Sequence, residues 1–144
     1  MRLHLDKIDE NPSGLHSGIG GTIYLTIGEH CFPEENWYDY VSLIMEHWIP
    51  ALTSFAHHST DTCKLSFWDG PCYTILKRSG DSVTASCLFD QKTVMGDILI
   101  DFPLFLESVI KSGNRYCHFL HLQGIDNSQC STSLLKLKQE IRTI

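Results

Sequence analysis

The sequence predicts an α+β domain: a mostly antiparallel sheet of about five or six strands, two longer helices packed on it, and a short C-terminal helix. Residues 63–89 hold three runs with period-two alternation, separated by two turn signals. Trp37, Val41, Ile44, Trp48, Leu52 and Phe55 recur at the three- and four-residue spacing of a helical face. A second helical series, Phe102, Phe105, Val109, Tyr116 and Leu120, follows a start signal at Asp101 and Pro103. A chain of 144 residues is the size of one domain, residues 1–144, with a single core.

Residues 2–8 read as the first strand, with Leu3 and Leu5 on one face, and residues 11–14 (Asn-Pro-Ser-Gly) read as a loop. The glycine run Ser17-Gly18-Ile19-Gly20-Gly21 has the look of a phosphate loop. A true one follows a strand and opens a helix with a placed Lys. Here the glycines precede a strand, with Ile23, Leu25 and Ile27 inward. Residues 31–36 look like the start of the first helix, because Pro33 is tolerated in a first turn and Glu34 and Glu35 complement the helix dipole. Pro50 should kink that helix, which ends near Ala56.

In the meander, Cys63, Leu65 and Phe67 share one face of its first strand. Asp69-Gly70-Pro71 is a turn, and Tyr73, Ile75 and Cys72 carry the next strand. After a turn at Ser79-Gly80-Asp81, the inward parity is Val83, Ala85, Cys87 and Phe89. Such short connections make neighbouring strands antiparallel. Residues 94–101 form a further strand, with Ile98 and Ile100 on one side and Gly96 weakening the register. Gly113 is a point where the second helix bends or breaks, Gly124 is its stop, and Leu134, Leu137 and Ile141 mark the terminal helix.

Acidic residues outnumber basic ones by 17 to 11, a net charge of −6. An acidic chain without a basic stripe is poorly suited to nucleic acid and better suited to a basic protein. No stretch approaches the ~18 consecutive apolar residues of a membrane span, and the N-terminus has no signal-peptide core. The expectation is a cytoplasmic protein with no membrane partner, whose six cysteines are reduced.

Catalytic signatures are missing. His118 and His121, with Cys117 beside them, could seed a zinc site, but no third ligand has matching spacing. There is no nucleophile elbow. Glu34, Glu35, Asp39 and Glu46 fit either an acid/base pair or a solvated helix side. The chain is therefore read as a non-enzyme without catalytic residues, metal or cofactor. Trp68 falls on the polar parity beside a turn, either as an exposed binding anchor or as cover for a helix end or strand. Glu34, Glu35, Asp39, Trp68, Asp69 and Tyr73 together make an acidic rim with aromatic anchors, the candidate partner-binding surface.

The run Asn36-Trp37-Tyr38-Asp39 with Trp48 further on, the turn Phe67-Trp68-Asp69-Gly70-Pro71-Cys72-Tyr73, and the junction Ile98-Leu99-Ile100-Asp101-Phe102-Pro103 resemble a group of small, largely uncharacterised bacterial proteins. That group is similar to the immunity proteins encoded beside contact-dependent toxins. The resemblance covers roughly residues 20–120. It implies a protein that binds one cognate toxin domain, a basic nuclease-like one, and neutralises it by steric occlusion without chemistry of its own. The alternative is a small enzyme, or a metal- or small-molecule-binding protein, using a cleft between sheet and helix.

Overall fold

A computed structural model describes residues 1–10 and 18–144. The fold is α+β. Among the described residues it holds two four-stranded antiparallel sheets and three helices, in place of the single sheet expected. The loop expected at residues 11–14, and Ser17 of the glycine run, lie outside the described residues.

The first sheet is built on β2 (Gly20–Ile27). One of its edges pairs with β1 (Arg2–Ile8). The other is shared end to end by β3 (His30–Phe32) and β4 (Tyr38–Tyr40). Both edges of β2 are then occupied, and the chain starts a second sheet after the first helix. Leu3, Leu5, Ile23, Leu25 and Ile27 are buried as the alternation requires. Gly21 lies inside β2, opposite Ile8 on one side and Asp39 on the other. A Cβ there would run into the Lys7 carbonyl and the Val41 side chain. Its role is close backbone approach, not phosphate binding.

The first helix, α1 (Val41–Ala56), starts later than the sequence pattern implies. Residues 33–37 form a turn closed by Trp37 N–H to the Glu34 carbonyl at 3.3 Å. Asn36 takes a left-handed conformation with φ 59°, which breaks a right-handed helix and which Asn tolerates better than most residues. Trp37 thus precedes the helix. Val41, Ile44, Trp48, Leu52 and Phe55 form its buried face, joined by Met45 and Ile49. The helix continues through Pro50, which faces solvent, so water can reach the carbonyl left without an amide donor.

The second sheet has the order β5 (Thr62–Ser66), β6 (Cys72–Ser79), β7 (Ser82–Phe89), β8 (Lys92–Ile100). Its three-strand core is the predicted meander, and the inward parity of β5 and β7 is as expected up to Cys87, with Phe89 exposed. The parity of β6 is reversed. Cys72, Thr74 and Leu76 point inward, while Tyr73 and Ile75 are half-buried on the outer face. Thr74 disguises this: it is fully buried, and its hydroxyl lies 3.4 Å from the Cys87 sulfur. The irregular register of β8 falls around Gly96 and Asp97, with Asp97 at φ 48°.

The second helix, α2 (Phe102–Leu122), is capped by the Asp101 carboxylate, which accepts from Leu104 N–H at 2.9 Å. It is continuous through Gly113, where no break occurs. The missing side chain admits the third helix, α3 (Ser128–Ile141): a Cβ on Gly113 would lie 2.5 Å from Leu134 Cδ2. Leu134 and Leu137 are buried, and Gly124 at φ 69° ends the second helix as predicted.

α1 is the hub. It touches β2, β5, α2 and α3, while α2 lies across β1. The Trp48 indole donates to the Ser66 carbonyl at 2.8 Å and meets Phe67 edge-on, fastening α1 to the second sheet. Arg115 on α2 donates to the carbonyls of Leu5 and Asp6 on β1. Among the described residues, no helix is long and apolar enough to cross a membrane.

The expectation that all six cysteines are reduced is overturned. Cys117 and Cys130 form a disulfide that ties α2 to α3, because the Gly113 contact brings these two helices together. Cys31, Cys63, Cys72 and Cys87 are free. Closing a loop of this length (sequence separation 13) restricts the unfolded chain and contributes about 3 kcal/mol. Reduction with dithiothreitol, or the pair Cys117→Ser with Cys130→Ser, should lower the unfolding free energy by about that amount. Because Leu134 and Leu137 remain buried, helix content by circular dichroism should persist.

Candidate functional site

The site begins with the three residues of β4. Strand alternation turns Tyr38 and Tyr40 outward, 50% and 39% exposed, and Asp39 inward, 0% exposed. Asp39 was expected on an acidic rim. Its burial removes it from any surface, because a side chain between two tyrosines in a strand points to the opposite face.

Buried, the Asp39 carboxylate gathers donors from both sheets. It accepts from the Trp37 indole at 2.9 Å and from Tyr40 N–H at 2.7 Å. From the turn after β5 it accepts the N–H groups of Trp68 and Asp69, at 3.0–3.2 Å. A carboxylate satisfied by several N–H groups is a strong fastening. It fixes the turn against β4 at a point where the sheets share no strand pairing. The Trp37 ring packs beside Gly70, where a Cβ would come within 3.4 Å of it.

Trp68 is 42% exposed at this junction. Its ring meets the His47 ring edge-on at 4.9 Å. His47 Nδ1 lies 2.8 Å from the Leu43 carbonyl and so donates to it, leaving Nε2 free. Trp68 therefore both flanks the α1 helix and presents ring surface to solvent. The Tyr38 hydroxyl donates to the Asp9 carboxylate. That bond first, then burial and the nearby Asp9 charge, raises the Tyr38 pKa to about 12. The Tyr40 and Asp69 charges add smaller upward contributions.

The six expected contact residues therefore separate. Trp68 and Asp69 lie on this exposed face. Glu34 and Glu35 are exposed in the β3–β4 connection. Glu34 is on the side of Cys72, whose thiol burial first, then Asp39 and Glu34, push upward. Glu35 lies toward Tyr24. Tyr73 is on the outer face of the second sheet, half-buried under the Lys64 ammonium at 4.2 Å from the ring centroid. The structure does not bring it to the β4 tyrosines. Tyr38, Tyr40 and His47 were missed. The Tyr-Asp-Tyr alternation was their signal, hidden by reading residues 37–40 as helix.

His118 and His121 are exposed on α2, and Cys117 is held in the disulfide. Among the described residues, no three His, Cys, Asp or Glu side chains converge as metal ligands. Burial drives the Cys63 thiol up to about 12 and raises Cys87 as well, so neither is a ready nucleophile.

Tyr24 and Tyr116 are also raised to about 12, both chiefly by burial. In the unfolded chain these phenols titrate near the ordinary tyrosine value of 10.0. The folded chain thus keeps their protons longer. The stability linked to them is complete below about pH 10 and is lost as pH rises toward about 12. A spectrophotometric titration should show part of the phenolate absorbance of the five tyrosines appearing late, and returning to the ordinary range in denaturant.

No family model, curated protein or solved structure matches the chain.

Proposed function

We propose that this chain is an immunity protein that binds a cognate bacterial toxin domain and neutralises it by covering its working surface. The observation that carries this reading is the face made by Tyr38, Tyr40 and Trp68. Three large aromatic side chains are exposed, two on β4 and one on the turn that the buried Asp39 carboxylate fastens to that strand. Exposed aromatics on a rigid support are the residues that dominate protein interfaces, because they bury much area and lose little conformational entropy.

Charge supports a basic partner. Residues 8–63 contain no Lys or Arg, although the chain has 11, while Asp and Glu recur through that stretch. The face is drawn largely from that stretch, with Asp9 bonded to Tyr38 and Asp69 next to Trp68. A basic nuclease-like domain fits this surface, and opposite charges would speed its encounter. Such a protein works in the cytoplasm of the producing cell.

The test is co-expression of the tagged chain with the reading frames adjacent to its gene. One stoichiometric partner in the eluate, toxic when expressed alone, is the expected result. Bait alone in the eluate, with no neighbouring frame toxic, would overturn the proposal.

A further inference from the structure

A cleft of about 620 Å³ opens among α1, α2 and the start of α3. Gly18 and Ile19, at the entry to β2, complete its wall, and its size is that of a small-molecule site. Met45, Ile49 and Leu120 give it apolar walls. Glu46 and Asp126 supply two carboxylates at its margin, and no Lys, Arg or His is among its described lining residues. Among the described residues neither carboxylate has a Lys, Arg or His partner within 4.0 Å; the one acid–base contact of that kind joins His57 and Glu140. Asp126 is held ionised by the Ser128 N–H, which it accepts at 2.9 Å.

An independent feature points into the same space. Tyr116 lines the cleft with only 3% of its surface exposed, and its hydroxyl has no hydrogen-bond partner among the described residues. It is not sealed from solvent, since the one fully buried unpartnered side-chain atom among those residues is Arg78 Nε. The hydroxyl therefore opens into the cleft, within electrostatic reach of Glu46. A buried phenol oxygen on the cleft wall, with Glu46 in electrostatic reach and Asp126 on the same lining, is suited to a hydrogen-bonding cation.

We propose that this cleft binds a small organic cation, an apolar ring-sized body bearing an ammonium or guanidinium group. The body lies against Met45, Ile49 and Leu120. The charged group donates to the Tyr116 oxygen and to the carboxylates of Glu46 and Asp126. Gly18 of the cleft lies beside the Tyr40 ring of the aromatic face, but the proposal does not depend on the toxin-binding reading.

The experiment is a titration of the ¹⁵N-labelled full chain, followed by amide shifts, with tryptamine, its neutral near-isostere tryptophol, and the anion indole-3-acetate. Tryptamine should give saturable shifts centred on Glu46, Tyr116 and Asp126. It should bind at least ~10-fold more tightly than tryptophol, the margin of a charge-assisted contact. Indole-3-acetate should give none. Glu46→Gln with Asp126→Asn, both at exposed positions, should bring tryptamine down to the level of tryptophol with the melting temperature retained. Tyr116→Phe, which preserves the packed ring, should weaken tryptamine more than tryptophol. Equal binding of all three compounds, no saturable shift at the cleft, or a preference for tryptamine that survives the double variant would overturn the proposal.

Discussion

Replacing Asp39 by Ala is expected to destabilise the chain by about 3–5 kcal/mol, because it strips an acceptor from several N–H donors at once. Trp68 N–H, Asp69 N–H, Tyr40 N–H and the Trp37 indole all donate to this one carboxylate. Water can reach part of the turn, since Asp69 is exposed, but the carboxylate itself is completely buried. Asp39→Asn is the sharper probe. It preserves shape but turns one acceptor oxygen into an amide donor facing other donors, so it too should weaken the fold. Urea unfolding followed by far-ultraviolet circular dichroism measures the loss. Amide exchange should be fastest to rise at residues 66–70, where the turn is released from β4. An Asn variant with wild-type stability and unchanged exchange at the turn would mean that the carboxylate is not the fastening between the sheets.

Truncating the exposed aromatics should do the opposite: leave stability almost intact and remove binding. Tyr38→Ala and Trp68→Ala each take away a side chain about half exposed. Neither cost to folding should exceed about 1 kcal/mol, the range of surface changes. Against the toxin partner, each should weaken affinity by roughly 30-fold or more, the loss expected at an interface hot spot. Most of that change should appear as faster dissociation. Raising salt should instead slow association of the wild type, because the acidic surroundings act at long range. Surface plasmon resonance separates the two effects. Tyr73→Ala is the internal control: Tyr73 lies under Lys64 on the outer face of the second sheet, so affinity should be preserved.

The pairing of these two results reflects what the sequence made legible. Strong, uninterrupted patterns were read correctly. The three strands and two turns of the meander, the buried face of α1 from Val41 onward, the Asp101 cap of α2 and the Gly124 stop all follow from local chemistry, although the inward parity of β6 does not. What failed lay in short or mixed segments. β3 and β4 have three residues each, too few for alternation to declare itself, and the apolar Trp37 fell by chance at helical spacing from Val41. A left-handed Asn36 broke that apparent helix. Thr74 carried a polar residue into the core and reversed the reading of β6. The Cys117–Cys130 bond depended on the approach of α3 to Gly113, a contact between elements that no spacing within either one encodes.

The candidate site shows the same division. The exposure of Trp68 is legible, because it falls on the polar parity beside a turn signal. The role of Asp39 is not, since a carboxylate that bonds to a turn about thirty residues away looks in sequence like one more charge on an acidic surface.

Hydrogen exchange of the chain, free and bound to the toxin domain captured with it, measures most directly whether this aromatic face is the working surface. Protection on binding should concentrate at residues 38–40 and 66–70, with the outer face of the second sheet around Tyr73 unchanged. Protection confined to that outer face or to the cleft between the helices, with Tyr38, Tyr40 and Trp68 as exposed as in the free protein, would contradict it.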